Sequence, residues 1–139
     1  MSTAKLVLIY GGMLITFLVI DLTWLGLVAR GVYQKHLGYL MSPQVNWPAA
    51  IVFYLIFVFG LFFFAVLPGL ESRALVRTVL TGCLFGGICY ATYDLTNLAT
   101  VRDWPLPITL IDMTWGVVLS GCVTLAGHGL GRWLSGTAG

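Results

Sequence analysis

Four long runs of apolar residues alternate with short polar stretches along the chain, and they predict four membrane-spanning helices. The runs cover residues 6–28, 49–67, 75–99 and 107–127. Each is close to the roughly 20 residues that an apolar helix needs to cross a bilayer. We therefore expect an all-α membrane protein, in which residues 1–139 form a single domain built as a four-transmembrane-helix bundle.

The longest polar stretch, between the first two runs, contains a helical pattern of its own. Apolar residues recur there at helical spacing, namely Val32, Tyr33, Leu37, Leu40 and Met41. This pattern predicts a short amphipathic helix at Gly31 to Met41 that lies on the membrane surface between spans one and two. Asn46 is the expected N-cap of span two, because its side chain can accept hydrogen bonds from the free N–H groups of the first turn. Pro48 fits this start, since proline is tolerated in a first helical turn. Span two is expected to stop at Pro68.

The chain has five acidic residues, and three of them, Asp21, Asp94 and Asp112, fall inside apolar runs. An aspartate near the centre of a membrane helix costs roughly 2.5 to 3.5 kcal/mol on insertion scales, so such residues usually face a bundle interior and mark a function. Because the spans alternate in direction, all three lie about 6 to 10 Å from the midplane, on the side of loops one and three. We expect them to form one cluster.

An aromatic or amide residue follows each aspartate by three positions and therefore shares its helix face. These pairs are Asp21 with Trp24, Asp94 with Asn97 and Asp112 with Trp115. Tyr93 is expected to join this ligand-binding or proton-binding site, and the candidates for a lid or rim are Tyr33, His36 and Trp104. The threonines two positions after the aspartates, Thr23, Thr96 and Thr114, are expected to bond to their own helices or to meet a neighbour.

A structural interpretation of the aspartates competes with the functional one. Asp, Thr, Trp and Asn partners can act as interhelical glue, and three packed carboxyl groups cannot all ionise, so at least one is expected to be protonated at pH 7. The histidines and the three cysteines show no metal-ligand spacing, and His36, His128 and the buried thiols are interpreted as structural. No metal and no cofactor are expected.

Small residues four positions apart occur in both of the last two spans. Gly82 and Gly86 form one such pair, and Gly116 and Ser120 form the other. Pairs of this kind let two membrane helices approach closely, where lipid supplies no hydrophobic driving force for association. We expect close packing between helices at these positions.

Four strings in the chain, "RGVYQKHLGYL", "VNWPAAIVFYL", "TYDLTNLATVRDWPL" and "DMTWG", together resemble a family of small bacterial integral membrane proteins defined as a domain of unknown function. The similarity covers nearly the whole chain in the same order. It implies a four-helix inner-membrane protein and supplies no activity. Its motifs place weight on Tyr93, Asp94, Thr96, Asn97, Trp104, Asp112, Trp115 and the segment around Asp21.

Composition narrows the class of protein and of partner. Hydrophobic residues make up 59% of the chain and charged residues 9%, whereas about a quarter of the residues of soluble domains are charged. A net charge of +2 spread over short connections does not indicate a nucleic-acid partner. Slightly more basic residues lie on the side of the termini than on the other side, which favours cytoplasmic termini of a multi-pass protein in the bacterial inner membrane.

The preferred function is binding or translocation of a small cationic or amphipathic molecule, in exchange for protons, with Trp24 and Trp115 offering cation–π faces. Membrane lipids are expected partners, and a homodimer is expected because four short helices enclose little volume. One alternative is a membrane-embedded acid/base enzyme acting on a lipid or isoprenoid substrate. Another is an accessory subunit of a membrane complex. A divalent cation held by the carboxylates is less favoured, since such ions want about six oxygen ligands.

Overall fold

The protein is a bundle of four long helices with one short helix between the first two. The computed structural model describes residues 1–136. Span one is Thr3–Val28, span two Trp47–Ser72, span three Leu75–Thr100 and span four Leu106–Gly136. The short connecting helix is Arg30–Leu37. Each span is long and apolar enough to cross a membrane, and the predicted fold class is confirmed.

Span two begins as the sequence predicts and ends later. The Asn46 side chain accepts a hydrogen bond from the backbone N–H of Ala49 at 3.3 Å, and Pro48 lies in the first turn. The prediction that the helix stops at Pro68 is wrong, because it continues to Ser72. A wider π-helical turn at Phe62–Val66 precedes the proline and gives its ring room within the helix.

The connecting helix and span four also differ from the predicted bounds. The connecting helix ends at Leu37, four residues before Met41, because Gly38 is a poor helix former and the N–H of Leu40 turns back to the carbonyl of Leu37 at 2.9 Å. Span four continues beyond the predicted end at residue 127, so its last turns extend past the apolar run.

A hydrogen bond between loops one and three shows that they share one side of the bundle. The Tyr39 hydroxyl donates to the backbone carbonyl of Asp103 at 2.7 Å. Asp103 has a left-handed φ of 58°, which an aspartate tolerates better than most residues. The ends of the spans that carry the three intramembrane aspartates therefore lie on the same side.

Spans three and four pack along each other more extensively than any other pair. A Cβ atom at Gly82 would overlap the side chain of Thr124, and one at Gly86 would overlap that of Ser120. The predicted close packing at the small residues is thereby confirmed, and it has the two helices touching through backbone and hydroxyl groups.

The contact between these two spans has a regular register. Gly82 meets Thr124, Gly86 meets Ser120, and a further step of four residues brings Tyr90 against Gly116. The numbering rises along span three as it falls along span four, because the helices are antiparallel. The next step of four residues places Asp94 opposite Asp112.

The apolar core lies mainly on the far side of the bundle from loops one and three. Span one contributes three buried residues spaced four apart, Ile9, Met13 and Phe17. They pack with buried residues of spans two and four, namely Phe57, Val58, Leu61, Phe62, Val66, Leu119 and Val123. This packed half leaves the polar residues of spans one, three and four grouped near the other end.

We predict that Gly86→Ala destabilises the bundle, because the added methyl group must displace Ser120 or separate the two helices. Overpacking of this kind costs about 1 to 3 kcal/mol. Gly11→Ala is the matched control, since a Cβ there meets nothing within 4 Å. The measurement is the free energy of unfolding in a denaturing detergent titration. Equal stability of the two variants would contradict the tight contact at Gly86.

Candidate functional site

Two carboxyl groups meet at the upper end of the contact between spans three and four. Asp94 is fully buried, and Asp112 is half-buried. Their carboxyl groups lie close together. Neither carboxyl oxygen of Asp94 has a hydrogen-bond partner among residues 1–136. Since two neighbouring carboxylates repel each other, a proton or a cation held between them would relieve that repulsion.

The connecting helix supplies the hydrogen-bond donor for the second member of the pair. The Tyr33 hydroxyl donates to Oδ1 of Asp112 at 2.6 Å. Burial, together with this hydrogen bond to the acidic Asp112, raises the pKa of the Tyr33 phenol above its ordinary value. Tyr33 therefore keeps its proton at neutral pH and remains a donor. It is a direct partner of the acidic pair rather than a rim residue.

The third aspartate is held by a tryptophan from another span. Asp21 is 6% exposed, and its Oδ1 accepts a hydrogen bond from Nε1 of Trp115 at 3.1 Å. The ring of Trp115 stacks on that of Trp24, with 4.3 Å between the centroids and 9° between the planes. Each tryptophan ring covers one face of the other. Neither ring lines the large cavity beside Asp94. The stack joins spans one and four.

Tyr93 and Trp104 contact each other in the wall of the cavity that holds the acidic pair. Their rings are perpendicular, with 5.9 Å between the centroids. Both line the same cavity as Asp94 and Asp112. Asn97 lies beside Tyr93, and its amide does not donate a hydrogen bond to Asp94.

His36 does not line the cavity beside the acidic pair. Its Nδ1 is 2.9 Å from the backbone carbonyl oxygen of Val32, in its own helix. The three threonines of the repeated motif also bond within their helices. Thr23 donates to Val19, Thr96 to Thr92 and Thr114 to Leu110. Their hydroxyl groups are thus satisfied locally, which was one of the two expectations for them.

A cavity of about 770 Å³ connects the acidic pair with the apolar surface of the bundle. The connecting helix and all four spans contribute to its wall. Its polar side chains near the pair are Tyr33, Tyr54, Tyr93, Asp94 and Asp112. Its apolar wall includes Leu22, Leu25, Leu37, Met41, Val45 and Trp47. A smaller cavity of about 330 Å³, lined by Tyr90 and Tyr93, reaches Asp112 from the side of span three.

Sequence reasoning missed four residues of this region. Tyr54 and Tyr90 bring phenol groups from spans two and three, and Arg30 and Gln34 bring polar groups from the connecting helix. The available signal for the tyrosines was a hydroxyl-bearing ring in an otherwise apolar span. The signal for Arg30 and Gln34 was that Tyr33 and Gln34 follow Arg30 by three and four residues, which puts both on the helix face of Arg30.

The geometry does not favour a metal centre. Within the described part of the chain, no group of three His, Cys, Asp or Glu side chains is arranged to hold a metal ion. Asp94 and Asp112 face each other, whereas Asp21 is engaged by Trp115. The arrangement can do two things chemically: it can hold or release one proton at the acidic pair, and it can offer negative charge to a cation in an apolar cavity.

We predict that Tyr33→Phe loosens the connecting helix. The variant loses a hydrogen bond to a group that carries negative charge, a contact worth roughly 1.5 to 3 kcal/mol. The measurement is amide hydrogen exchange of the connecting helix, which is expected to become about tenfold faster or more. Tyr10→Phe is the control, because its hydroxyl donates to Leu55 at 2.8 Å on span two. Unchanged exchange in Tyr33→Phe would show that the hydrogen bond to Asp112 does not hold the helix.

Comparison with known proteins gives one result. No curated protein and no solved structure matches the chain. A family described as "Predicted membrane protein (DUF2177)" matches residues 6–129, which include all of the aspartates, tyrosines and tryptophans of the site. The match covers most of the chain and agrees with the resemblance seen in its motifs. The protein belongs to this family of predicted membrane proteins, DUF2177.

Proposed function

We propose that the protein binds a small hydrophobic or amphipathic cation in the cavity beside Asp94 and Asp112, in exchange for a proton. The observation that carries this proposal is the Asp94 carboxyl group. It is fully buried, lines the cavity, and its two oxygens have no hydrogen-bond partner among the described residues. A buried carboxyl group of this kind is costly, and a cation at its side would offset that cost.

The wall of the cavity suits an apolar cation. Aromatic rings of Tyr33, Tyr54, Tyr93 and Trp104 surround the acidic pair. The face of such a ring attracts a cation within about 6 Å of its centroid, and more strongly where water is excluded. The cavity volume lies in the range of roughly 300 to 1,000 Å³ that is typical of small-molecule sites. The stacked Trp24 and Trp115 are assigned a different role, which is to hold Asp21 and join spans one and four.

Proton exchange follows from the charge of the pair. We expect Asp94 and Asp112 to hold one proton between them when no ligand is bound, because two neighbouring buried carboxylates repel each other. A bound cation stabilises the state in which both are ionised, so the proton leaves as the cation enters. Cation and proton therefore compete for one site, and the affinity for the cation rises with pH.

The sidedness, surroundings and oligomeric state form part of the proposal. With cytoplasmic termini in the bacterial inner membrane, the cavity lies in the outer leaflet. Translocation requires the core around Ile9, Met13 and Phe17 to open, since these side chains fill the other half of the bundle. A homodimer is the expected assembly, because four short helices enclose little volume.

A membrane-embedded acid/base enzyme is the second candidate, and the asymmetry of the acidic pair favours it. Asp112 accepts a hydrogen bond from Tyr33, whereas the carboxyl oxygens of Asp94 have no hydrogen-bond partner in the described structure. Different surroundings give two carboxyl groups different proton affinities, which is how one site provides both an acid and a base. Chemical change of a bound lipid, seen by mass spectrometry, would favour this candidate over reversible binding.

We predict that tetraphenylphosphonium binds the purified protein and that tetraphenylborate, of similar size and opposite charge, binds much more weakly. Asp112→Asn should weaken binding of the cation about tenfold or more, because the substitution removes a carboxylate that attracts the cation inside an apolar cavity. The measurement is the dissociation constant from quenching of tryptophan fluorescence.

Glu71→Gln is the matched control for this experiment. Glu71 is an exposed acidic residue near the opposite end of the bundle. Glu71→Gln therefore removes the same charge as Asp112→Asn, but far from the cavity. Equal affinities for the cation in both variants, or equal binding of the two probes by the wild type, would contradict the proposed site. If the folded protein binds neither probe, the proposed function is wrong and the interpretation as an accessory subunit is favoured.

We predict that binding of tetraphenylphosphonium releases a fraction of a proton per cation at pH 7. The measurement is isothermal titration calorimetry in phosphate and in Tris, whose heats of ionisation differ. The binding enthalpies should differ between the buffers for the wild type and agree for Asp94→Asn, which no longer forms a carboxyl pair. Affinity should rise with pH in the wild type only. Identical wild-type enthalpies in the two buffers would rule out proton exchange at this pH.

A further inference from the structure

The cavity beside the acidic pair also contains a positively charged residue. Arg30 begins the connecting helix and lines the cavity together with Asp94 and Asp112. Within residues 1–136 it forms no ion pair with any acidic side chain. A guanidinium at the mouth of an acidic cavity weakens binding of a simple cation by repulsion. Its presence therefore indicates a ligand with a negative group as well as a positive one.

One face of the connecting helix is turned towards this cavity. Arg30, Tyr33, Gln34 and Leu37 all line it. Tyr33, Gln34 and Leu37 follow Arg30 by three, four and seven residues, which is the spacing of a single helix face. The polar and charged groups of this face are therefore presented together with Tyr33, whose hydroxyl donates to Asp112 at 2.6 Å. The helix links a basic group to the acidic pair.

We propose that the cavity takes a zwitterionic phospholipid that carries a primary amine, with its phosphate at Arg30 and its ammonium group at Asp94 and Asp112. This inference rests on the proposed function and names the class of its ligand. The planar guanidinium of arginine binds phosphate through two parallel hydrogen bonds. A primary ammonium group has three donors, and Asp94 has two oxygens without another donor in the described part of the chain.

The apolar part of the cavity wall suits the acyl chains. On the side of span one, Leu22 and Leu25 line the cavity and are also exposed on the surface of the bundle. On the side of span two, Val45 and Trp47 do the same. The cavity is thus continuous with the surface that faces lipid. A headgroup can enter it from the leaflet while the chains stay in the hydrocarbon region.

The experiment compares three lipids with the same dioleoyl chains on the full-length protein by native mass spectrometry. Phosphatidylethanolamine has a phosphate and a primary ammonium, phosphatidylcholine has a quaternary ammonium that cannot donate hydrogen bonds, and phosphatidylglycerol has no amine. We expect phosphatidylethanolamine to bind about tenfold more tightly than either of the others. Glycerophosphoethanolamine, which lacks acyl chains, is expected to bind at least a hundredfold more weakly.

Two variants separate the two ends of the ligand. Arg30→Gln should weaken binding of phosphatidylethanolamine about tenfold, and it should strengthen binding of tetraphenylphosphonium because a repelling charge is removed. Asp112→Asn should weaken binding of both of these ligands and should leave binding of phosphatidylglycerol unchanged or stronger. Arg102→Gln is the control, since Arg102 is an exposed residue of loop three on the same side of the bundle and does not line the cavity. Thermal unfolding of each variant verifies that it is folded.

The outcomes distinguish this inference from the proposed function. One outcome is that tetraphenylphosphonium binds in a manner that depends on Asp112 while the three lipids bind equally or Arg30→Gln has no effect. That result overturns the proposal of an aminophospholipid ligand and supports the cation site alone. Equal binding of glycerophosphoethanolamine overturns the role of the acyl chains and indicates a soluble ligand of the same headgroup chemistry. Failure of tetraphenylphosphonium itself overturns the proposed function and this inference with it.

Discussion

The close approach of spans three and four is the constraint on which the rest of the structure depends. Lipid offers no hydrophobic driving force between helices, so their association relies on packing at short range. Gly82 and Gly86 allow that range by leaving room for Thr124 and Ser120. The same register, continued towards loop three, brings Asp94 against Asp112. The glycines thereby position the acidic pair although they lie about two and about three turns away from it.

The acidic pair in turn organises the elements around it. Asp112 accepts the hydrogen bond that ties the connecting helix to the bundle through Tyr33. Asp21 accepts the hydrogen bond of Trp115, whose ring stacks on Trp24 and joins span one to span four. Asp94 is the one intramembrane aspartate whose carboxyl oxygens have no hydrogen-bond partner in the described structure. Stable folds satisfy their buried polar groups, and an exception of this kind is typical of a functional site.

The repeated motif of an aspartate followed by a tryptophan shows what residue spacing predicts about side-chain partners and what it does not. An aspartate and a tryptophan three residues apart share a helix face, and the sequence predicts each pair as a unit. In the structure the partners are exchanged between helices, because Trp115 donates to Asp21 and not to Asp112. Spacing states which way a side chain points and leaves open which neighbouring helix it meets. Asn97 is a second case, since it shares the face of Asp94 and lies beside Tyr93 instead.

The sequence by itself determined the class of the protein, its four spans, the side of the membrane shared by the three aspartates, and the small residues where helices pack. These properties depend on local spacing and on the cost of placing polar groups in hydrocarbon, and both are readable from residue order. Only the tertiary structure decided that Asp94 faces Asp112, that Tyr33 and Trp115 are the donors, and that Arg30 shares the cavity with the acids. Those contacts depend on the register and rotation of one helix against another, which many sequence positions set together and no single motif records.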